Sequence, residues 1–567
     1  MKIFGSIKDS GKEFDFYLNQ NSGNSALEDN VHFFPDSKIF VYIDGIVSKL
    51  SKKANELSSS FESINKKIAY LHSIDFNLES HITGSFNIFL YNYSRNELKI
   101  IRDIRGTRSL FYADNDGDFI FSSDQGSLIK KIPKVSLNEE KLMEFLNWDY
   151  KLDQETYFKE IFRIDPNNYL IYRNKVLKIK KYQLSNDLFN ISETKDYIES
   201  FKKIFYEAVI KLTNRDKRIG VMMSGGLDSS AIAIALKKNN FTDVRTYSAN
   251  FNHITNSDKL DETIYQKNIA DLTSFKHSFV EMKDKSPIKS IQKFTKIFCK
   301  PILFPNIYLF EEIIKKLKKD NIEIILDGND GDNTISHGFE VLYHYFIKFQ
   351  FIKFIKEIYL YAGHKNTSFL HLLRIFTTQA IKKLLNIRDQ KNKNSILKKS
   401  FNIEKNPKNI TSFFSSHEKK LSIDLLYLSN EYRNELFKHF GIENFSPFYD
   451  EILINFCTKM PYENKLQNGH TRKILRDFLI EFLPEDHAYR DKSELTPGLI
   501  TNFMNHDLSI VTSEFKKINK TLLKFIDLEK LRDIILNLKN GKRIEEQELI
   551  DLQIFVSANT FLNQHNL

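Results

Sequence analysis

Apolar and polar positions fall into two textures along this chain. Up to about residue 185 the apolar residues come in short or alternating runs: KIFVYIDG (38–45), FNIFLYNY (86–93), ELKIIRD (97–103), SLFYAD (109–114) and DFIFSS (118–123). Gly, Asn and Asp turn signals separate them, so they predict strands in a β-rich domain, with a helical pattern at EEKLMEFLNWDY (139–150). In SETKDYIESFKKIFYEAVIKLTNRD (192–216) the apolar spacing becomes helical, opened by Ser192 as a candidate N-cap. The boundary is therefore expected near 185–192, giving domains at 1–188 and 189–567.

Strands and helices then alternate. Strands are predicted at 218–224, 243–251, 277–282 and 322–328, and helices at 229–239, 262–273 and 307–321. Such alternation predicts an α/β domain, a parallel sheet with helices on both faces. From about residue 340 the pattern is almost wholly helical, and QKNKNSILKKS (390–400) reads as a loop.

One junction carries chemistry. The strand at 218–224 runs into SGGLDSS (224–230) before its helix begins. Gly225 and Gly226 let the backbone approach a ligand closely, Ser224, Ser229 and Ser230 add hydroxyls, and the helix start adds a positive dipole end. That combination suits phosphate. No GK[ST] follows and the loop is not GxGxxG, so the common nucleotide motifs do not apply.

Composition narrows the class. With 567 residues, 41% hydrophobic and 28% charged, the chain has the make-up of a multidomain globular protein and excludes disorder. Its two cysteines, Cys299 and Cys457, lack metal-ligand spacing, so neither a disulfide framework nor a zinc site is expected. The start MKIFGSIKDSGKEF has no signal-like apolar core, and no run of about 18 apolar residues occurs, so the expectation is a cytoplasmic protein without membrane insertion. The net charge of +10 is concentrated in residues 341–420, where 16 Lys and Arg face four Asp and Glu. This basic helical segment reads either as an attractor for an acidic ligand such as a peptide, or as solvated lysines on amphipathic helices; no nucleic-acid partner is expected.

SGGLDSS resembles the pyrophosphate loop of the ATP pyrophosphatase group, and most of the chain is similar to the asparagine synthetase B family, which includes β-lactam synthetases and lasso-peptide cyclases. The resemblance runs through IRDIRGTRSLFYADNDGDFIFSSDQGSL (101–128), YSANF (247–251), KLDETIYQKNIA (259–270), LDGNDGDN (326–333), GIENFSPFYDEILINFCTKMP (441–461) and RKILRDFLIEFLPEDHAYRDKSELTPG (472–498). It implies a first domain of the N-terminal-nucleophile (Ntn) hydrolase type, as in glutaminases, and a second of the adenine nucleotide alpha hydrolase type. It also implies ATP and Mg2+, with adenylation of a carboxylate followed by amide formation. Carried over by motif, Ser224, Gly225, Gly226, Leu227, Asp228, Ser229, Ser230, Tyr247, Ser248, Ala249 and Gly328 hold the nucleotide. Asp228 and Asp332 hold the metal, and Lys492 stabilises charge on the reacting groups.

Two departures shape the reading. A family glutaminase places cysteine directly after the initiator methionine, whereas Lys2 stands there and residues 1–188 contain no cysteine, so the first domain is expected to be a degenerate glutaminase. In the acceptor loop, asparagine synthetases place glutamate after the first glycine; here Asn329 stands there, with Asp330 beside it as the expected substitute and His337 as a candidate base. The resulting expectation is an AMP-forming amide ligase acting on a peptide or small carboxylate, of lasso-cyclase type. A leader-peptide-binding protein and a protease are the implied partners, with an ammonia-using asparagine synthetase or a non-catalytic scaffold as alternatives.

Overall fold

A computed structural model describes residues 2–8, 13–19, 31–189, 196–251, 262–302, 304, 306–385, 387, 396–401, 415–490 and 496–567. Among the described residues eleven strands precede residue 182: β1 (Lys2–Ile7), β2 (Phe14–Asn19), β3 (Val31–Phe34), β4 (Ile39–Leu50), β5 (Ile82–Asn92), β6 (Glu97–Arg102), β7 (Phe111–Asn115), β8 (Asp118–Ser122), β9 (Phe162–Arg163), β10 (Asn168–Arg173) and β11 (Val176–Lys181). They form two antiparallel sheets, ordered β2-β1-β8-β7-β9 and β11-β10-β6-β5-β4-β3. Strand alternation explains why KIFVYIDG looks uniformly apolar. Phe40 and Tyr42 face the other sheet with Phe89, Tyr91 and Phe121, while Ile39, Val41 and Ile43 face the helix Ile64–Ser73 through Ile68 and Leu71. Both faces of the strand are buried, and the polar half of the pattern disappears.

Five further strands build a parallel sheet: β12 (Ile219–Met222), β13 (Val244–Asn250), β14 (Lys276–Glu281), β15 (Ile324–Leu326) and β16 (Glu443–Phe445), in the order β14-β13-β12-β15-β16. On one face Ile219, Val221 and Leu326 pack with helices Leu227–Lys238, Tyr197–Ile210 and Lys473–Leu479. On the other, Tyr247 and Ile325 pack with helices Pro287–Phe298 and Ile307–Lys319. The apolar cluster on that second face continues into Phe111, Leu142 and Phe158, so the antiparallel and parallel layers share a core. Three features lie beyond the elements the pattern predicts. The β-rich part also carries the helices Lys52–Leu57 and Ile64–Ser73; the amino-terminal segment forms strands β1 and β2; and the helical tail supplies β16, three residues paired with β15.

Buried ions cross between the two parts. Glu431 Oε2 accepts from Arg102 at 2.9 Å and Glu431 Oε1 lies 3.3 Å from Arg163. Arg105 Nε donates to Glu451 at 2.6 Å, Arg108 pairs with Glu443 and, at 2.9 Å, with Asp44, and Lys438 donates to Asp44 at 2.7 Å. The guanidinium groups beside Glu431 hold its carboxyl down at about 2 against the opposing effect of burial. Among the described residues no helix is long and apolar enough to cross a membrane.

Candidate active site

β13 and β15 lie on opposite sides of β12, so the carboxyl end of β12 is the point where the chain switches direction across the sheet. A cavity of about 400 Å3 opens there. Its floor is the SGGLDSS loop. Gly225 sits at φ +75°, the left-handed region, and an added Cβ would stand 3.0 Å from Tyr265 Cβ, so glycine is required. Gly226 caps the helix Leu227–Lys238, its N–H donates to Ser224 Oγ at 3.2 Å, and its carbonyl accepts from Ser229 Oγ at 3.2 Å and from Ser230 N at 3.1 Å. The Gly225 carbonyl accepts from Arg490 at 2.8 Å and lies 3.0 Å from His487 Nε2, which clamps the loop from behind.

The loop after β15 completes the opposite wall and touches the first. A Cβ on Gly328 would fall 2.7 Å from Asp228 Cβ, and one on Gly331 would fall 2.3 Å from Asp228 Oδ1. Two glycines thus admit the Asp228 side chain between the loops. Its carboxylate is ion-paired with Arg472, whose own backbone is left-handed at φ +57°. Asp332 lies in the first turn of helix Gly331–Ile335, 3.6 Å from His337 Nε2. Asn329 donates from its side chain to Tyr449 Oη and, at 3.4 Å, to Asn430 Oδ1. Behind it Asp327 is held by Asn444 at 2.8 Å and Arg433 at 3.2 Å. Asp330 accepts from Asn333, and burial pushes its carboxyl up to about 7.

Ser224, Gly226, Asp228, Ser229, Tyr247, Ser248, Ala249, Gly328, Asn329, Asp330 and Asp332 all line this one cavity. Gly225, Leu227 and Ser230 shape the loop without lining it, His337 stands outside the lining beside Asp332, and Lys492 lies outside the described residues. Tyr247 spends its hydroxyl on Asp320, 2.9 Å away, and offers the cavity only its strand and ring. Met222, Phe251, Phe310 and Ile313 add an apolar side wall suited to a flat base. Sequence reasoning left out Arg472, Arg433, Asp327 and Glu262. Glu262 lies in KLDETIYQKNIA, Asp327 in LDGNDGDN and Arg472 at the head of RKILRDF, all within the family-like motifs, while Arg433 meets the site only through tertiary folding. Among the described residues no group of three or more His, Cys, Asp or Glu could hold a metal. Asp228 and Asp332 offer two carboxylates on one cavity, a donor set that fits Mg2+ finishing its shell with water and phosphate oxygens.

A family model described as Asparagine synthase matches residues 200–563, more than half of the chain, including every residue of this cavity. The chain belongs to the asparagine synthase family. A second model, described as Glutamine amidotransferase domain, matches residues 66–183. Among curated relatives, "Putative asparagine synthetase [glutamine-hydrolyzing] 2" of Methanocaldococcus jannaschii is 25% identical, the match covering 56% of this chain and 62% of that one. "Asparagine synthetase [glutamine-hydrolyzing] 1" of Bacillus subtilis is 20% identical over 76% of this chain and 70% of its own. "Microcin J25-processing protein McjC" of Escherichia coli is 29% identical over 28% of this chain and 29% of its own. The match thus spans less than two thirds of the first of these relatives. Membership of the asparagine synthase family accounts for the fold of the second domain and for the strand-end site, and the amidotransferase match covers strands β5 to β11 of the antiparallel sheets.

Proposed function

We propose that this chain is an ATP-dependent, AMP-forming amide ligase that closes an amide within one substrate, a peptide. The observation that carries the reading is the single cavity joining the SGGLDSS loop, two carboxylates and the Asn329–Asp330 acceptor loop. In the first step a substrate carboxylate oxygen bonds to the α-phosphorus of ATP, the bond to the β-phosphate oxygen breaks, and pyrophosphate leaves. In the second, an amine of the same substrate attacks the acyl carbon, AMP leaves and one proton is released. Gly226 and the serine hydroxyls orient the phosphates, and the helix Leu227–Lys238 presents its N-terminus to them. Mg2+ held by Asp228 and Asp332 would neutralise phosphate charge. Lys492 is assigned by motif to the charge that develops on the reacting groups.

An amine from the substrate itself is supported by Asn329. It replaces the family glutamate with a neutral amide already engaged by Tyr449 and Asn430. The first domain supports it too, because residues 1–188 hold no cysteine to release ammonia from glutamine, and Lys2 Nζ is salt-bridged to Asp124 at 2.8 Å. A leader-peptide-binding protein and a protease are the proposed partners. Mass spectrometry tests the reading. The peptide should lose one water while ATP yields AMP and pyrophosphate, added ammonia should change nothing, and Asp228→Asn and Lys492→Ala should each abolish turnover. Asparagine formed from aspartate and ammonia at the rate of ATP consumption would replace this reading with that of an asparagine synthetase.

A further inference from the structure

A second cavity, about 470 Å3 in volume, lies apart from the nucleotide site. Helices Phe339–Ile347, Phe369–Leu384 and His417–Leu421 and the 458–465 turn enclose it. Its size falls within the range of small-ligand pockets. Lys465 lines it and is only 3% exposed. Its ammonium donates to the Thr458 carbonyl at 3.2 Å and lies 3.3 Å from His417 Nδ1. Among the described residues no carboxylate stands within ion-pair distance of it. The nearby buried acid, Glu340, is already held by Lys420 at 3.2 Å and by Ser336. Burial pushes the Lys465 ammonium down while Glu340 and Glu418 hold it up from beyond ion-pair distance, so an anion seated beside it would complete a charge balance that Glu340, shared with Lys420, leaves partial. Lys383 on the same wall, its ammonium 3.8 Å from the centre of the Tyr343 ring, feels the same positive surroundings. Burial and the neighbouring Lys420 push it down to about 8.

We propose that this cavity binds a carboxylate carried by an acidic residue of the substrate peptide, with Lys465 as its counter-ion. The peptide source rests on the ligase reading above; the carboxylate site does not. A singly charged group suits a lining on which Lys383 and Lys465 stand with Glu340 and Glu418, because a phosphate dianion would feel the repulsion of both carboxylates more strongly. Tyr343, Tyr462 and Met460 offer walls for the apolar stem of a side chain. The cavity is also wired to the acceptor loop. Burial and Lys465 push His417 down to about 4, so the imidazole is neutral; with Nδ1 accepting from Lys465, its Nε2–H donates to the Asn333 carbonyl at 2.8 Å. Asn333 belongs to the helix that carries Asp332. An anchored acidic residue would therefore fix the register of the peptide relative to the carboxylate to be activated.

The test uses the full chain without ATP and two capped tripeptides, one with a central glutamate and one with a central glutamine, followed by calorimetry. The glutamate peptide should bind at least tenfold tighter, and Lys465→Met should erase the difference while leaving Mg-ATP binding in place. Lys383→Gln, a half-buried change that spares the fold, should cut the discrimination by severalfold. Equal binding of the two peptides, or discrimination that survives Lys465→Met, overturns the proposal. Free glutarate binding as tightly as the glutamate peptide supports the carboxylate site and overturns its assignment to the peptide. Failure of the ligase reading would show separately, as intact discrimination in a chain that releases no pyrophosphate.

Discussion

Gly331→Ala separates the stability of this protein from its chemistry. Gly331 opens the helix Gly331–Ile335 with ordinary negative φ, where alanine is the better helix former by up to ~1 kcal/mol. The backbone therefore gains from the change. The new methyl, however, would stand 2.3 Å from Asp228 Oδ1 and 2.5 Å from Asp228 Cγ, where ordinary contact begins at 3.4 Å. The carboxylate has to retreat by about 1 Å, a misplacement worth roughly 100-fold in rate at a reacting centre. AMP and pyrophosphate formation, followed chromatographically at saturating ATP, should fall by about that factor, with the unfolding temperature unchanged or slightly raised. Gly363→Ala is the control, because nothing lies within 4 Å of its Cβ and the rate should hold. A Gly331→Ala rate within threefold of the parent would refute the placement of Asp228 in the chemistry.

Two further outcomes are expected. Arg472→Met frees the Asp228 carboxylate from its guanidinium, so nucleotide-free Mn2+ binding, read by electron paramagnetic resonance, should tighten by about tenfold, the worth of one charge-assisted contact; an unchanged affinity would show that the pair does not compete with metal. Glu431→Gln should lower stability at pH 7 by about 3 kcal/mol, since the carboxyl sits at about 2 instead of its ordinary 4.5. Stability from a depressed carboxyl is complete above its unfolded value and vanishes as pH falls through its folded value. The gap between variant and parent in urea unfolding should therefore narrow below about pH 4.5, and a gap equal at pH 3 and pH 7 would count against the network.

Much of the second domain was legible because its signals are local. A continuous apolar strand, a glycine pair and a helix are contiguous in SGGLDSS, and strand and helix alternation gave the parallel sheet. The first-domain strands were visible for the same reason, with inner and outer faces both apolar. β16 escaped because three residues hold no periodicity and belong to the sheet only through pairing with β15. The helix Ile64–Ser73 escaped because its burying stripe is short, with Ile68, Ala69 and Leu71 placed by the sheet beneath. Arg433 is one among 83 basic residues in the sequence, and nothing local marks it as a site residue, while Arg472 opens a family-like motif that does not disclose its pairing with Asp228. Lys465 is equally unmarked, since its distinction is burial with no carboxylate in ion-pair range among the described residues, which only packing creates.

The crossing ions bear on how the gene can be divided. Glu431, Glu443 and Glu451 belong to the carboxyl-terminal portion, and their partners Arg102, Arg163, Arg108 and Arg105 belong to the amino-terminal one. Split between the two, the protein would yield an acidic cluster on one fragment facing a basic cluster on the other, with Lys438–Asp44 crossing in the opposite sense. Such fragments are predisposed to reassociate in trans, more readily in dilute buffer than in salt. The amino-terminal sheets thus supply counter-ions on which the carboxyl-terminal half depends, whatever chemistry they hold themselves.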